Sequence, residues 1–196
     1  PAGNPYVQGG HFRIEELRFP AAYTSFLQIA LATSDFGTLV TRGTATGDVD
    51  IANDAVTLLN ARLDGIDVSE KKGKFSVQQL RGALHWTPAQ APAPQPSWFS
   101  WQSGNAYGLS GGATRLDFIA QGFDVALTKP ASVPILDGAL RIDKLAAQQL
   151  ATAGFGLQFV GEIEPISMPL LSRAFGWPEM SGQLAGRIPG VTYRDK

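Results

Sequence analysis

Apolar residues recur at every second position through most of this chain, which is the signature of strands with one buried face. The clearest run is Phe155, Leu157, Phe159 and Ile163, interrupted only by Gly161, with Gln158 and Glu162 among the intervening positions. Leu27, Ile29 and Leu31 follow the same rule, as do Phe123, Val125 and Leu127, Leu140 with Ile142, and Leu184 with Gly186 and Ile188. Two runs change phase midway. Phe12 and Ile14 are out of step with Leu17 and Phe19, and Phe75 and Val77 with Leu80, Gly82, Leu84 and Trp86. One extra residue in a strand causes such a slip, so a bulge is predicted at Gln78–Gln79. Bulges bend and twist, and the expected fold is mostly β: a strongly twisted antiparallel sheet of about ten strands, curled into a taco-like groove.

Helical spacing is confined to short pieces. Ser167 to Phe175 places Met168, Leu171 and Phe175 on one side, with Pro169 near its start and Gly176 as a stop, and predicts a helix of one or two turns. Ala146 to Ala153 is composed of helix formers and predicts a second. Pro88, Pro92, Pro94 and Pro96 make the stretch 88–96 an extended loop that divides one continuous sheet.

Composition narrows the functional classes. The chain of 196 residues has 16 Lys and Arg against 17 Asp and Glu, a formal net charge of -1. That balance lacks the basic footprint of a nucleic-acid binder. Charged residues are only 17% of the chain, which fits a sheet with extensive apolar surface. Cysteine is absent, which removes disulfides, thiolate catalysis and thiolate metal sites. No stretch reaches the roughly 20 apolar residues of a membrane-spanning helix. The sequence opens on Pro1 with no leader-like run, and reads as a single groove domain, residues 1–196, belonging to a larger protein.

Candidate chemistry is sparse, and the expectation is a protein that is not an enzyme and takes no cofactor. His85, between Leu84 and Trp86, should face solvent from a strand. Asp48, Asp50, Asp64 and Asp67 sit near Gly47 and Gly65 and read as turn aspartates. Gly104, Gly108, Gly111 and Gly112 lack the Lys-Ser/Thr of a phosphate loop and read as a glycine-rich loop. Lys71, Lys72 and Lys74 read as a solvated hairpin tip. Trp98, Phe99 and Trp101 either touch lipid at an interface or fold back as a plug on the sheet's apolar face.

The stretch Ile163-Glu-Pro-Ile-Ser-Met-Pro, followed through Trp177 by Gly182-Gln-Leu-Ala-Gly-Arg-Ile-Pro189, resembles the C-terminal domain of YdbH-like proteins, relatives of AsmA and TamB. Val133-Pro-Ile-Leu-Asp-Gly-Ala-Leu140 and Gln79-Leu-Arg-Gly-Ala-Leu-His-Trp86 are similar to that family's strand openings, and the resemblance runs from about Leu58 onward. It implies a Gram-negative envelope protein, anchored in the inner membrane, whose β-groove crosses the periplasm and carries phospholipids toward the outer membrane. The family's "dicarboxylate transport" label finds no matching Arg or Lys cluster here.

Two readings follow. In the first, acyl chains lie on the apolar face, and Leu140, Ile142, Phe155, Leu157, Phe159, Ile163, Leu184 and Ile188 line it. In the second, the face is sealed by Trp98, Trp101, Phe175 and Trp177, and the domain is a structural module that assembles through its sheet edges. The partners expected are phospholipid acyl chains, the rest of the same protein, and envelope proteins or further copies at the edges.

Overall fold

In the computed structural model, which describes residues 8–28, 37–150 and 154–194, nearly everything belongs to one 13-stranded sheet. The strands are β1 (Gly9–Phe19), β2 (Leu39–Ala52), β3 (Ala55–Glu70), β4 (Phe75–Thr87), β5 (Pro96–Trp101), β6 (Ser103–Ala106) and β7 (Leu109–Gly111). They continue as β8 (Thr114–Gln121), β9 (Asp124–Leu127), β10 (Ala131–Ile135), β11 (Gly138–Gln148), β12 (Gly156–Ser167) and β13 (Gln183–Arg194). Two helical pieces interrupt them, α1 (Tyr23–Leu27), a short π-type segment, and α2 (Met168–Phe175).

The register simplifies this list. β4 pairs with β5 and then β6 without a break, since Arg81 faces Ser100 and Gln78 faces Ser103. The next pairing is equally continuous, with Trp101 opposite Thr114 and Gly104 opposite Gly111. Thus β5–β6, β7–β8 and β9–β10 are each one strand with a kink. The sheet is then an up-and-down antiparallel meander of ten strands, every strand beside its sequence neighbour. Two-residue turns drive it. Asn53 and Asp54 both have positive φ (51° and 58°), the conformation that a tight hairpin needs and Asn and Asp tolerate.

The irregularities track across the sheet. β1 carries an extra residue between Ile14 and Leu17, β3 between Leu63 and Ile66, and β4 at Gln78–Gln79, where Val68 still faces Val77 but Ile66 faces Leu80. The kinks at Gln102 and at 112–113 follow, then an extra residue near Asp143 in β11 and at 189–190 in β13. Each bulge bends its own strand. Lined up on successive strands, they crease the whole sheet.

The bulges predicted at Gln78–Gln79 and between Ile14 and Leu17 are therefore present, and so is the helix ending at Gly176, whose φ is 65°. Other expectations fail for local reasons. Ala146–Gln148 is not helical; it ends β11, held between β9 and β12, because pairing on both sides outweighs alanine's helix preference. Gln149 and Leu150 form the bend and turn that follow, and residues 151–153 lie outside the described residues. Leu27 falls in α1 rather than a strand, and Ile29 and Leu31 lie outside the described residues. Phe123 occupies the β8–β9 turn, not β9. The glycine-rich segment is a hairpin, β6–β7, with Tyr107 and Gly108 at its turn.

Candidate functional site

Register assigns every strand residue to one of two faces. Through β1 to β4, one face carries Phe12, Ile14, Leu17 and Phe19, then Ala45 and Val49, then Leu59, Leu63, Ile66 and Val68, then Phe75, Val77, Leu80, Leu84 and Trp86. Each phase slip in the sequence coincides with a bulge, so the slips keep the apolar set on one side. The same face continues through Phe99, Leu116, Phe118, Val125, Leu127, Leu145 and Ala147. It ends on β12 and β13, where Leu157 faces Tyr193, Phe159 faces Val191 and Ile166 faces Leu184.

Seven of the eight expected lining residues lie on this face in strands. Leu140 and Ile142 are in β11, Leu157, Phe159 and Ile163 in β12, and Leu184 and Ile188 in β13. Phe155 lies one residue before β12, with its ring 6.2 Å from that of Tyr193. The central strands add a more enclosed part that the sequence reading did not single out. A cavity of about 330 Å³ is lined by Leu84, Phe99, Leu116, Phe118, Val125, Leu127, Leu145 and Leu157. Six strands, β4, β5, β8, β9, β11 and β12, contribute side chains to this one cavity. The sheet therefore curls over this face. A second apolar cavity of about 240 Å³, across the crease, is lined by Phe75, Val77, Trp101, Leu109, Val133 and Ile135.

One end is drawn in by β5. It begins at Pro96, which has no N–H to donate, and beyond it β4 meets β8 directly, Trp86 beside Ala120. Ser97 is buried there; its Oγ accepts from the His85 N–H at 2.9 Å and donates to the His85 carbonyl at 3.2 Å. Trp86 Nε1 donates to the Gly122 carbonyl at 2.7 Å.

The opposite face is polar. His11 Nδ1 lies 2.6 Å from Asp50 Oδ1, Arg13 Nε donates to Asp48 at 3.3 Å, and Arg141 Nε to Asp143 at 3.0 Å. Asp117 binds Arg115 at 2.9 Å and Lys129 at 3.0 Å. The Arg115 hydrogen bond, more than any other influence, holds the Asp117 carboxyl below its usual range. A cavity of about 580 Å³ opens among Arg13, Glu15, Asp48, Asn60, Arg62 and His85. Its mixed charges make it unsuited to an acyl chain.

This corrects the reading of the aspartates. Asp48, Asp50, Asp64 and Asp67 lie within strands, and their partners are His11, Arg13, Arg81 and the Gln79 backbone. His85 is half-buried rather than simply solvated, with Nδ1 2.8 Å from Asn60 Oδ1. Of the aromatic residues proposed as a seal, Trp98 lies on the polar face with the Arg115 guanidinium 4.2 Å from its ring centre. Phe175 and Trp177 stack on each other at 4.8 Å and stay exposed, while Trp101 lines the apolar face. Among the described residues no helix is long and apolar enough to cross a membrane, and no three His, Asp or Glu side chains gather as a metal site.

In comparison with known proteins, no family model, no curated protein and no solved structure matches the chain.

Proposed function

We propose that this chain is a section of a groove that holds phospholipid acyl chains against the apolar face of its sheet. The observation that carries the reading is the mostly apolar face of a ten-strand meander, buried at Ile66, Phe118, Ile142 and Ile166 by the curl of the sheet, over which the described strands lay no second sheet. A sheet with one apolar face must bury it against something. Two helical pieces of five and eight residues are too small to cover ten strands. Acyl chains would gain about 25 cal/mol for each Å² of apolar surface removed from water, without directional bonds. That suits movement along a groove better than fixed binding. Charged and hydrogen-bonding side chains are gathered on the other face, which favours a non-catalytic role.

The resemblance to YdbH-like proteins adds the setting. In this proposal the domain belongs to an inner-membrane-anchored protein of the periplasm that carries phospholipids between inner and outer membranes. The outer edges of β1 and β13, each paired on one side only among the described residues, would join neighbouring parts of the same protein or other envelope proteins. Those edges are also what favours the second reading, a non-catalytic module that assembles edge to edge.

Native mass spectrometry of the purified protein with lipid extraction tests the first reading. Phospholipid bound at defined stoichiometry is the expected result. A protein that is folded, lipid-free and unable to take up phospholipid from added micelles would overturn it.

A further inference from the structure

The ends of the strands form two rims, and they differ in chemistry. On one rim the β3–β4 turn presents Lys71 and Lys72 to solvent. The acid of that turn, Glu70, points inward and is buried; its Oε2 accepts the backbone N–H of Lys72 at 2.8 Å and of Lys74 at 3.2 Å. The β6–β7 turn is fastened beside it, Tyr107 N–H donating to the Lys74 carbonyl at 2.7 Å. The C-terminal end of α2 abuts the same turn, since a Cβ on Gly108 would lie 2.8 Å from the Ala174 carbonyl oxygen. Arg173, Phe175 and Trp177 are exposed there, with the Trp177 N–H bonded to the Ser172 carbonyl at 2.8 Å. Tyr107 is 62% exposed and Trp177 49%. Lys71, Lys72 and Arg173 have no ion-pair partner among the described residues. The turns of the opposite rim at 53–54, 88–95 and 122–123 contain no Lys or Arg, and Arg194 at the end of β13 is a cation on that rim.

We propose that the Lys71–Lys72, Tyr107 and Phe175–Trp177 rim docks the protein on the surface of a bilayer containing anionic phospholipid. Tyrosine and tryptophan place an apolar ring and a polar edge at the boundary between headgroups and acyl chains. Cations next to them meet the phosphates, each contributing roughly a fivefold gain in affinity for a negative surface. Two exposed acids, Asp137 and Glu179, belong to the connections on this rim and offset part of that charge, but Lys71, Lys72 and Arg173 outnumber them. The rim also borders the cavity lined by Phe75, Trp101 and Leu109, so a docked bilayer would adjoin the apolar face. The inference deepens the acyl-chain reading and rests on it for its purpose, but docking is measured separately from cargo.

The test is co-flotation of the full chain with vesicles of equal parts phosphatidylglycerol and phosphatidylcholine, and with vesicles of phosphatidylcholine alone. Binding to the first and not the second is expected. Lys71→Gln with Lys72→Gln should weaken it by about 30-fold. Tyr107→Ser with Trp177→Ser should weaken it further, while Phe123→Ser on the opposite rim leaves it unchanged. All these side chains are exposed, and a thermal melt of each variant checks that it is folded. Equal binding to neutral vesicles, undiminished binding by the lysine or aromatic variants, or no vesicle binding by a protein that still carries phospholipid in native mass spectrometry, each overturns the docking rim. Vesicle binding by a protein that carries no phospholipid leaves the rim standing and removes the acyl-chain reading instead.

Discussion

Asp67 on β3 accepts the backbone N–H of Gln79 on β4 at 2.8 Å, at the residue where β4 bulges and its backbone turns to φ 55°. A bulge removes a residue from the ladder and leaves its N–H without a strand partner. The carboxylate supplies that partner, and Gln79 Nε2 lies 3.5 Å from the same oxygen. Asp67→Ala should therefore destabilise the protein by about 1–3 kcal/mol, the cost of leaving a half-buried donor unsatisfied. Asp67→Asn retains an acceptor and should recover most of that loss. Urea denaturation of the two variants checks it; equal stability of Asp67→Ala and the parent would show that the bulge is held by pairing alone.

Gly82 makes a second structural prediction. It faces Phe99 across the β4–β5 pair, and a Cβ there would strike the Phe99 ring and the Trp98 carbonyl. Phe99 is in turn packed on Phe118, with ring centres 4.9 Å apart, and both line the central cavity. The missing side chain is what lets the ring lie flat across the strand. Gly82→Ala should cost about 1–3 kcal/mol through overpacking. Gly186, by contrast, has open space around it on edge strand β13, and Gly186→Ala should be close to neutral. Thermal melts of the pair would separate a steric role for Gly82 from a general glycine effect.

Much of this was legible in the alternation of side chains, and the reason is physical. A bulge leaves a mark in the sequence because it shifts the apolar phase by one, as between Val77 and Leu80. The strands that carry the outer part of the candidate face have long alternating runs, broken between Leu157 and Ile163 only at Gly161. The central cavity was harder to see. Phe99 and Trp101 follow a proline loop and precede glycines, so no long alternating run marks their strand, and its identity depends on β4 and β8 holding it from both sides. Ala146–Gln148 misled in the same way: local preference was helical, and tertiary pairing decided. The polar face was misread residue by residue. Asp48 and Asp50 stand near a glycine in sequence, yet their partners His11 and Arg13 are more than thirty positions away, and only the β1–β2 register brings them together.

Acid should loosen the junction between the β10–β11 turn and α2. Asp137 accepts the Ser167 N–H at 2.9 Å and the Ser167 hydroxyl as well, and the hydroxyl bond is the main reason its carboxyl is held below the usual range. A carboxyl with a depressed pKa stabilises the folded state above its unfolded value of about 3.9, and that contribution is lost as pH falls through the lower folded value. Thermal stability of the parent should therefore fall more steeply than that of Asp137→Asn as the pH drops below about 4. Parallel acid limbs for the two proteins would show that the Asp137–Ser167 contact contributes nothing to the folded state.

Leu157 offers the sharpest test of the proposed acyl-chain face. It lies in β12 opposite Ala147 and Tyr193, and it lines the central cavity together with Leu84. Its neighbour Gln158 points to the polar face. An unpaired carboxylate among Phe118, Leu127 and Leu145 is expensive, whether lipid or protein surrounds it. Leu157→Asp should thus abolish phospholipid co-purification, whereas Gln158→Glu should leave it intact. A sealed core predicts a different result. There, Leu157→Asp would place a charge in packed protein and cost several kcal/mol of stability, with no lipid to lose. An open face filled by exchangeable chains lets water reach the new carboxylate once the lipid has gone, so the variant should stay folded and be empty. Measuring melting temperature and bound phospholipid on the same sample distinguishes the two. A folded Leu157→Asp protein that retains its phospholipid would refute the acyl-chain face, and an unfolded one would favour the sealed module.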